Sequence, residues 1–242
     1  MCPVPENQGV RTKDFCQFFA IFAPPVEKRR YFFMKITEAL FAGSSTRVHE
    51  RPAERLPEFA FIGRSNVGKS SLINMLADNR KLAKTSSTPG KTKLVNHFRI
   101  NREWYLVDLP GYGYAKMPGK EREKLQEVIR DYLNFSDELL LLFVLIDCRH
   151  DVQKVDLDFM NELVDGQIPF AIIFTKGDKL GPVARQRQID AYKNRLLEEW
   201  AGLPECLVSS SETGLGKEEI LDFIETALEE FRAAPDSRNN QS

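Results

Sequence analysis

Gly63-Arg64-Ser65-Asn66-Val67-Gly68-Lys69-Ser70 carries the spacing G-x-x-x-x-G-K-[ST], directly after the apolar run Phe59-Ala60-Phe61-Ile62 and before a helical pattern that opens at Ser71-Leu72-Ile73. That strand, loop and helix context is the one in which the spacing has a physical meaning. Two glycines let backbone N–H groups turn inward around phosphate oxygens at a helix N-terminus, where orphan donors and the helix dipole both favour negative charge. Lys69 adds a point charge for the β- and γ-phosphates. The Ser70 hydroxyl is placed to ligate Mg²⁺, which takes oxygen ligands at near-octahedral geometry. The loop alone separates neither ATP from GTP nor a kinase from a hydrolase.

Further residues narrow the chemistry. Asp108-Leu109-Pro110-Gly111 closes the apolar run Trp104-Tyr105-Leu106-Val107, putting a carboxylate at the C-terminal end of a strand, where ligands bind in open α/β sheets. Asp108 can hold Mg²⁺ through a water and the Gly111 N–H can meet a γ-phosphate; in isolation the same residues are an ordinary turn. Thr175-Lys176-Gly177-Asp178 follows Phe170-Ala171-Ile172-Ile173-Phe174 and should reach the same sheet edge. An ionised Asp only accepts hydrogen bonds; guanine offers N1–H and N2–H₂ side by side, whereas adenine would leave the carboxylate unpaired. Asp178 therefore selects guanine, with the Lys176 stem over the base face. Ser209-Ser210-Ser211-Glu212-Thr213 can contact guanine O6, though alone it reads as a polar loop. Residues 85–92 (TSSTPGKT) are turn-rich and too polar for a core. They form a candidate moving loop, whose threonine would reach Mg²⁺ only while a γ-phosphate holds it.

Holding these groups at one edge requires a sheet, and from Pro57 onward apolar runs alternate with amphipathic stretches in a βαβα rhythm. Strands are expected near 58–62, 94–100, 103–108, 139–147, 169–175 and 205–209. Helices are expected near 69–78, 119–133, 154–164, 185–200 and 216–231. The result is an α/β, three-layer fold: a mostly parallel six-stranded sheet with helices on both faces. The run 139–146 (LLLLFVLI) is of strand length and suits burial on both faces. In the last helix Ile220, Phe223, Ile224, Ala227, Leu228 and Phe231 form one apolar stripe.

Composition sets the outer bounds. The 242 residues, 42% hydrophobic and 29% charged, are enough for a sizeable core and exclude disorder of the whole chain. Lys+Arg 34 against Asp+Glu 35 gives a net charge of −1, so no global field attracts nucleic acid or anionic lipid. The sum hides a cancellation, because 79–102 holds seven basic residues and no acidic one, while the final helix is acidic. The basic stretch reads either as a solvated loop face or as an RNA- or phosphate-facing patch. Cys2, Cys16, Cys148 and Cys206 are scattered, which argues against a disulfide framework or zinc site and fits a reducing cytoplasm. Apolar runs are far too short for a membrane span, and 15–23 (FCQFFAIFA) lacks a basic leader and a small-residue cleavage site. Residues 1–33, aromatic and Pro-punctuated, are expected to be a disordered N-terminal arm or the product of a mis-assigned start with translation beginning at Met34. The remaining units are a domain at 34–233 and a polar tail at 234–242.

In combination, GRSNVGKSSLIN at 63–74, TSSTPGKT at 85–92, DLPGYGYAK at 108–116, TKGD at 175–178 and SSSET at 209–213 resemble the EngB (YihA/YsxC-type) GTPases, translation-factor-related P-loop proteins of bacteria. The resemblance covers about 34–232. It implies a P-loop GTPase fold and slow, Mg²⁺-dependent hydrolysis of GTP to GDP and phosphate. It further implies a switch role in assembly of the large ribosomal subunit, and a need for the protein in normal cell division and septation. By that resemblance Gly63, Arg64, Ser65, Asn66, Val67, Gly68, Lys69 and Ser70 hold phosphates; Gly90, Lys91, Thr92 and Lys93 also bind GTP; Ser70 and Thr92 ligate Mg²⁺. Asp108, Leu109, Pro110 and Gly111 form the switch strand end, Thr175, Lys176, Gly177 and Asp178 take guanine, and Ser209, Ser210 and Ser211 close over the base. Family members usually have alanine where this chain has Gly177, a change expected to loosen that loop.

A glutamine after Asp-x-x-Gly often orients the attacking water, but here the position is Tyr112, whose phenol does not easily play that part, so turnover is expected to be slow. Asn66 sits where related GTPases without the glutamine bind K⁺ beside the phosphates, which makes K⁺ a candidate second cation. The alternatives are a nucleotide-gated ribosome-binding module with negligible hydrolysis and a P-loop ATPase or nucleotide kinase. The partner expected is a large-subunit precursor, rRNA or ribosomal protein, met through 79–102. The oligomeric state is left open.

Overall fold

A computed structural model describes residues 34–84, 94–113 and 118–233. The expected arm and tail, and the loop with Gly90, Lys91, Thr92 and Lys93, lie outside the described residues.

The strands are β1 (Ala39–Ser45), β2 (Glu58–Gly63), β3 (Val95–Ile100), β4 (Trp104–Asp108), β5 (Leu139–Asp147), β6 (Phe170–Thr175) and β7 (Cys206–Val208). The helices are α1 (Lys69–Leu76), α2 (Gly119–Phe135), α3 (Lys154–Asp165), α4 (Pro182–Leu197) and α5 (Lys217–Ala233). The sheet runs β1-β3-β4-β2-β5-β6-β7. β4, β2, β5, β6 and β7 are parallel, while β3 is antiparallel to both β4 and β1.

Alternation along the buried strands divides the core into two layers. Phe59, Phe61, Phe143 and Leu145 face α1 and α5 with Leu72, Ile73, Ile220, Ile224 and Leu228. Ala60, Ile62, Leu142 and Val144 face α2, α3 and α4 with Ile129, Tyr132, Met160, Leu163, Ile189 and Tyr192. β2 and β6 are buried throughout, as strands covered on both faces must be. The stacked pair Phe61–Phe143 at 4.8 Å and the edge-on pair Phe59–Trp104 at 5.4 Å lock β5, β2 and β4 together.

Two expectations are corrected. Among the described residues the sheet has seven strands rather than six. β1 lies on the outer edge, bulged between Phe41 and Gly43, with Leu40 and Phe41 exposed, so its residues lack the alternation that marks a half-buried strand. α4 begins at Pro182 rather than near 185, because proline, which has no N–H to satisfy, suits the first helical turn. No helix of the described residues is long and apolar enough to cross a membrane.

Candidate nucleotide site

Parallel pairing brings the C-terminal ends of β2, β4, β5, β6 and β7 to one edge. The phosphate loop, Asp108, Thr175 to Asp178 and Ser209 to Ser211 follow or close those strand ends. Gly63 passes so close to β5 that a Cβ would stand 2.9 Å from both the Leu145 carbonyl oxygen and Val67 Cγ1. Gly68 has φ 104 and caps α1 without any side-chain hydrogen bond, leaving first-turn N–H groups for an anion. Asn66 adopts φ 61, a left-handed conformation that Asn tolerates better than most residues. The Ser65 hydroxyl is buried with no hydrogen-bond partner among the described residues.

Lys69 Nζ pairs with the Asp108 carboxylate at the mouth of this loop, with the Asn96 amide donating to the other Asp108 oxygen at 3.4 Å. A cation suited to phosphate and a carboxylate suited to a metal therefore face the same space. Leu109, Pro110 and Gly111 follow, all buried, and Leu109 N–H donates to the Phe61 carbonyl at 3.0 Å.

The second motif braces the first. Thr175 Oγ1 donates to the Val67 carbonyl at 2.7 Å and is 3.2 Å from that of Ile146. Lys176, itself at φ 59, donates to the Asn66 carbonyl at 2.6 Å and to Asp147 Oδ2 at 2.8 Å. Asp147 ends β5 and is gripped by the Arg149 guanidinium at 2.9 and 2.7 Å. Burial pushes the Asp147 carboxyl up, but hydrogen bonds from Arg149 and Lys176 outweigh it and hold the group well below the usual carboxylate range. Gly177 N–H donates to the Ser209 carbonyl. A Cβ on Gly177 would meet Val208, Leu215 and Arg185 at 3.0 to 3.3 Å, so an alanine there would need these neighbours to give way by a few tenths of an ångström.

Asp178 accepts from Lys179 Nζ at 2.8 Å and from Ser210 Oγ at 2.6 Å, and both lower its pKa. It is thus an ionised acceptor at the end of β6. Ser209 and Ser210 are buried, and the Ser209 hydroxyl has no hydrogen-bond partner among the described residues; Ser211 is exposed.

The Tyr112 side chain is committed to α3. Its hydroxyl donates to Asp156 Oδ1 at 2.9 Å, and its ring stacks on Phe159 at 4.3 Å. Arg64 joins the same carboxylate, Nε to Oδ1 at 3.2 Å. Burial raises the Asp156 pKa, and Arg64 and the Tyr112 hydroxyl offset only part of it. Asp147, Arg149 and Asp156 belong to no motif and escape a reading of the sequence. The available signal for Asp147 is its place at the end of an otherwise apolar strand; Asp156, inside an amphipathic helix, offers none.

Comparison with known proteins places this arrangement. A probable GTP-binding protein EngB of Phocaeicola vulgatus is 54% identical over 200 residues, covering 83% of this chain and 100% of the relative. The chain belongs to the EngB family. A second EngB relative, from Porphyromonas gingivalis, is 53% identical over 198 residues, covering 82% of this chain and 98% of its own. Residues 58–176 match the family model described as 50S ribosome-binding GTPase. A solved structure of a probable GTP-binding protein engB aligns with TM-score 0.57 at 22% identity, covering 72% of this chain and 99% of that one, a likeness of fold. Family membership makes the chain a P-loop GTPase and sets aside the ATPase and nucleotide-kinase readings.

Proposed function

We propose that this chain binds GTP through residues 63–70, 108–111, 175–178 and 209–211 and hydrolyses it slowly to GDP and phosphate. The observation that carries the reading is Asp178, ionised and held by Ser210 at the end of a strand whose preceding threonine and lysine brace the phosphate loop. Guanine presents two donors to such a carboxylate. Titration with GTP, GDP and ATP in Mg²⁺ tests it: guanine nucleotides should bind and ATP should not. Asp178→Asn should weaken GTP while admitting xanthosine nucleotides; unchanged GTP affinity would overturn the assignment.

The site's donor chemistry fits Mg²⁺. The Ser70 hydroxyl and Asp108 carboxylate are hard oxygens and too few for an all-protein cage, as expected when nucleotide phosphates complete the shell. Thr92 would join them. Bound Mg²⁺ would neutralise charge on the phosphate oxygens; Lys69 and the first-turn N–H groups of α1 orient those oxygens. K⁺ is a further proposal, supported by the exposed Asn66 side chain beside the phosphate loop. Equal hydrolysis rates in KCl and NaCl would remove it.

The biological setting proposed is a cytoplasmic switch in large-subunit assembly, needed for cell division and septation. Of the described basic residues in 79–102, Arg80, Lys81 and Lys84 are exposed, whereas Arg99 pairs with Glu54 and Arg102 with Glu38, so among these five the first three are the ones proposed to meet RNA. The alternative, a nucleotide-gated ribosome-binding module with negligible hydrolysis, draws support from Tyr112, which is tied to Asp156. GTP turnover with and without large ribosomal subunits separates the two.

A further inference from the structure

A cleft of about 520 Å³ runs between α2 and α3 and ends at Arg64, Tyr112 and Gly113. Its floor is apolar: Ile129 and Phe159 are buried and Val155 is 36% exposed. Its walls carry opposite charge. Arg122 and Arg130 project from α2 at positions eight apart on one helix face, and Asp158 and Glu162 from α3 at positions four apart. All four are exposed. Among the described residues Asp158 pairs along its own helix, with Lys154 at 2.8 Å, and no ion pair joins Arg122 or Arg130 to either carboxylate. Two walls of opposite charge thus line the gap with no ion pair across it among the described residues.

A uniformly anionic ligand such as RNA meets the α3 wall as a like charge, and a uniformly cationic one meets the α2 wall the same way. A ligand with an apolar edge and charges of opposite sign on its two flanks meets neither penalty. We propose that this cleft is a docking site for an amphipathic protein helix, apolar edge down on Ile129, Val155 and Phe159, with carboxylates toward α2 and lysines or arginines toward α3.

Three labelled helical peptides of about 15 residues would share one leucine stripe and differ only in their flanks: Glu on one and Lys on the other, Glu on both, or Lys on both. Fluorescence anisotropy with the full chain and GDP should show the mixed peptide binding about tenfold tighter than either uniform one, a margin that shrinks with salt. R122E/R130E makes both walls acidic and should transfer the preference to the Lys-flanked peptide, with GDP affinity unchanged as the control for folding. Equal binding of all three, or a preference that survives the charge reversal, overturns the proposal. So does an RNA duplex whose binding, rather than the peptide's, is lost in R122E/R130E, or self-association in sedimentation that the same variant abolishes.

Discussion

Asp147 and Asp156 are both buried carboxylates at the edge of the nucleotide site, each beside an arginine, yet their surroundings drive them in opposite directions. Asp147, on the base side, receives two N–H donors from Arg149 and one ammonium from Lys176, which more than offset its burial. Asp156, on the hydrolysis side, has the Tyr112 hydroxyl and Arg64 converging on one oxygen while the other, Oδ2, has no partner among the described residues, and burial prevails. Deeper burial and fewer donors at Asp156, rather than the absence of a cation, set the two carboxylates apart. The base side is thus a fully satisfied brace and the hydrolysis side an under-satisfied one.

The largest test of this contrast is Asp147→Asn. It should lower stability at neutral pH by about 2 kcal/mol, the scale of hydrogen bonds to charged groups, and weaken GTP binding because Lys176 loses an anchor. Since folding lowers this carboxyl's pKa, its contribution is present above the ordinary carboxylate value near 4 and is lost as pH falls through the folded value. The gap between variant and wild type in urea melts should therefore close in acid. Asp156→Asn should behave with the opposite sign. Its raised folded pKa destabilises the native state increasingly as pH rises from about 4 through the folded value, so over that range stability relative to wild type should move in the variant's favour. Parallel pH dependences for the two variants would erase the distinction drawn here.

Thr175→Val keeps the shape but removes the hydroxyl that bonds the Val67 carbonyl. A loss of about 1–2 kcal/mol in denaturation, with weaker GTP binding, would confirm that the brace acts through the phosphate loop. Tyr112→Phe should cost about 1 kcal/mol and leave kcat within about twofold, since the phenol is committed to Asp156; a tenfold fall in kcat would show that it reaches the reacting atoms. The smallest effect belongs to Gly177→Ala, where the lost chain entropy of the unfolded state, worth about 0.4–1 kcal/mol, opposes crowding against Val208. Calorimetry should find stability changed by less than about 1 kcal/mol.

Much of the site is legible in the amino-acid sequence itself. The phosphate loop, Asp108 and Asp178 can be read because a short motif sits at the end of an apolar run, and burial on both faces leaves such runs little alternative but a central strand. β1 is not legible, since an edge strand with one covered face and a bulge carries no clean period. Nor is the brace, because the partners of Asp147 and Asp156 are set by which strands lie side by side. Tyr112 can be recognised as the wrong residue for positioning water. Its destination, a buried carboxylate of α3, cannot.

α1 is only eight residues long, too short to persist alone in water, and is held from below by Leu72, Ile73 and Leu76. Its first turn has no side-chain cap. A phosphate seated there would complete the helix as a cap does, so nucleotide affinity would return as resistance to unfolding, about 4 kcal/mol at a thousand times Kd. The melting temperature of the chain would then rise and fall with guanine nucleotide supply, coupling the lifetime of the folded protein to the energy state of its surroundings.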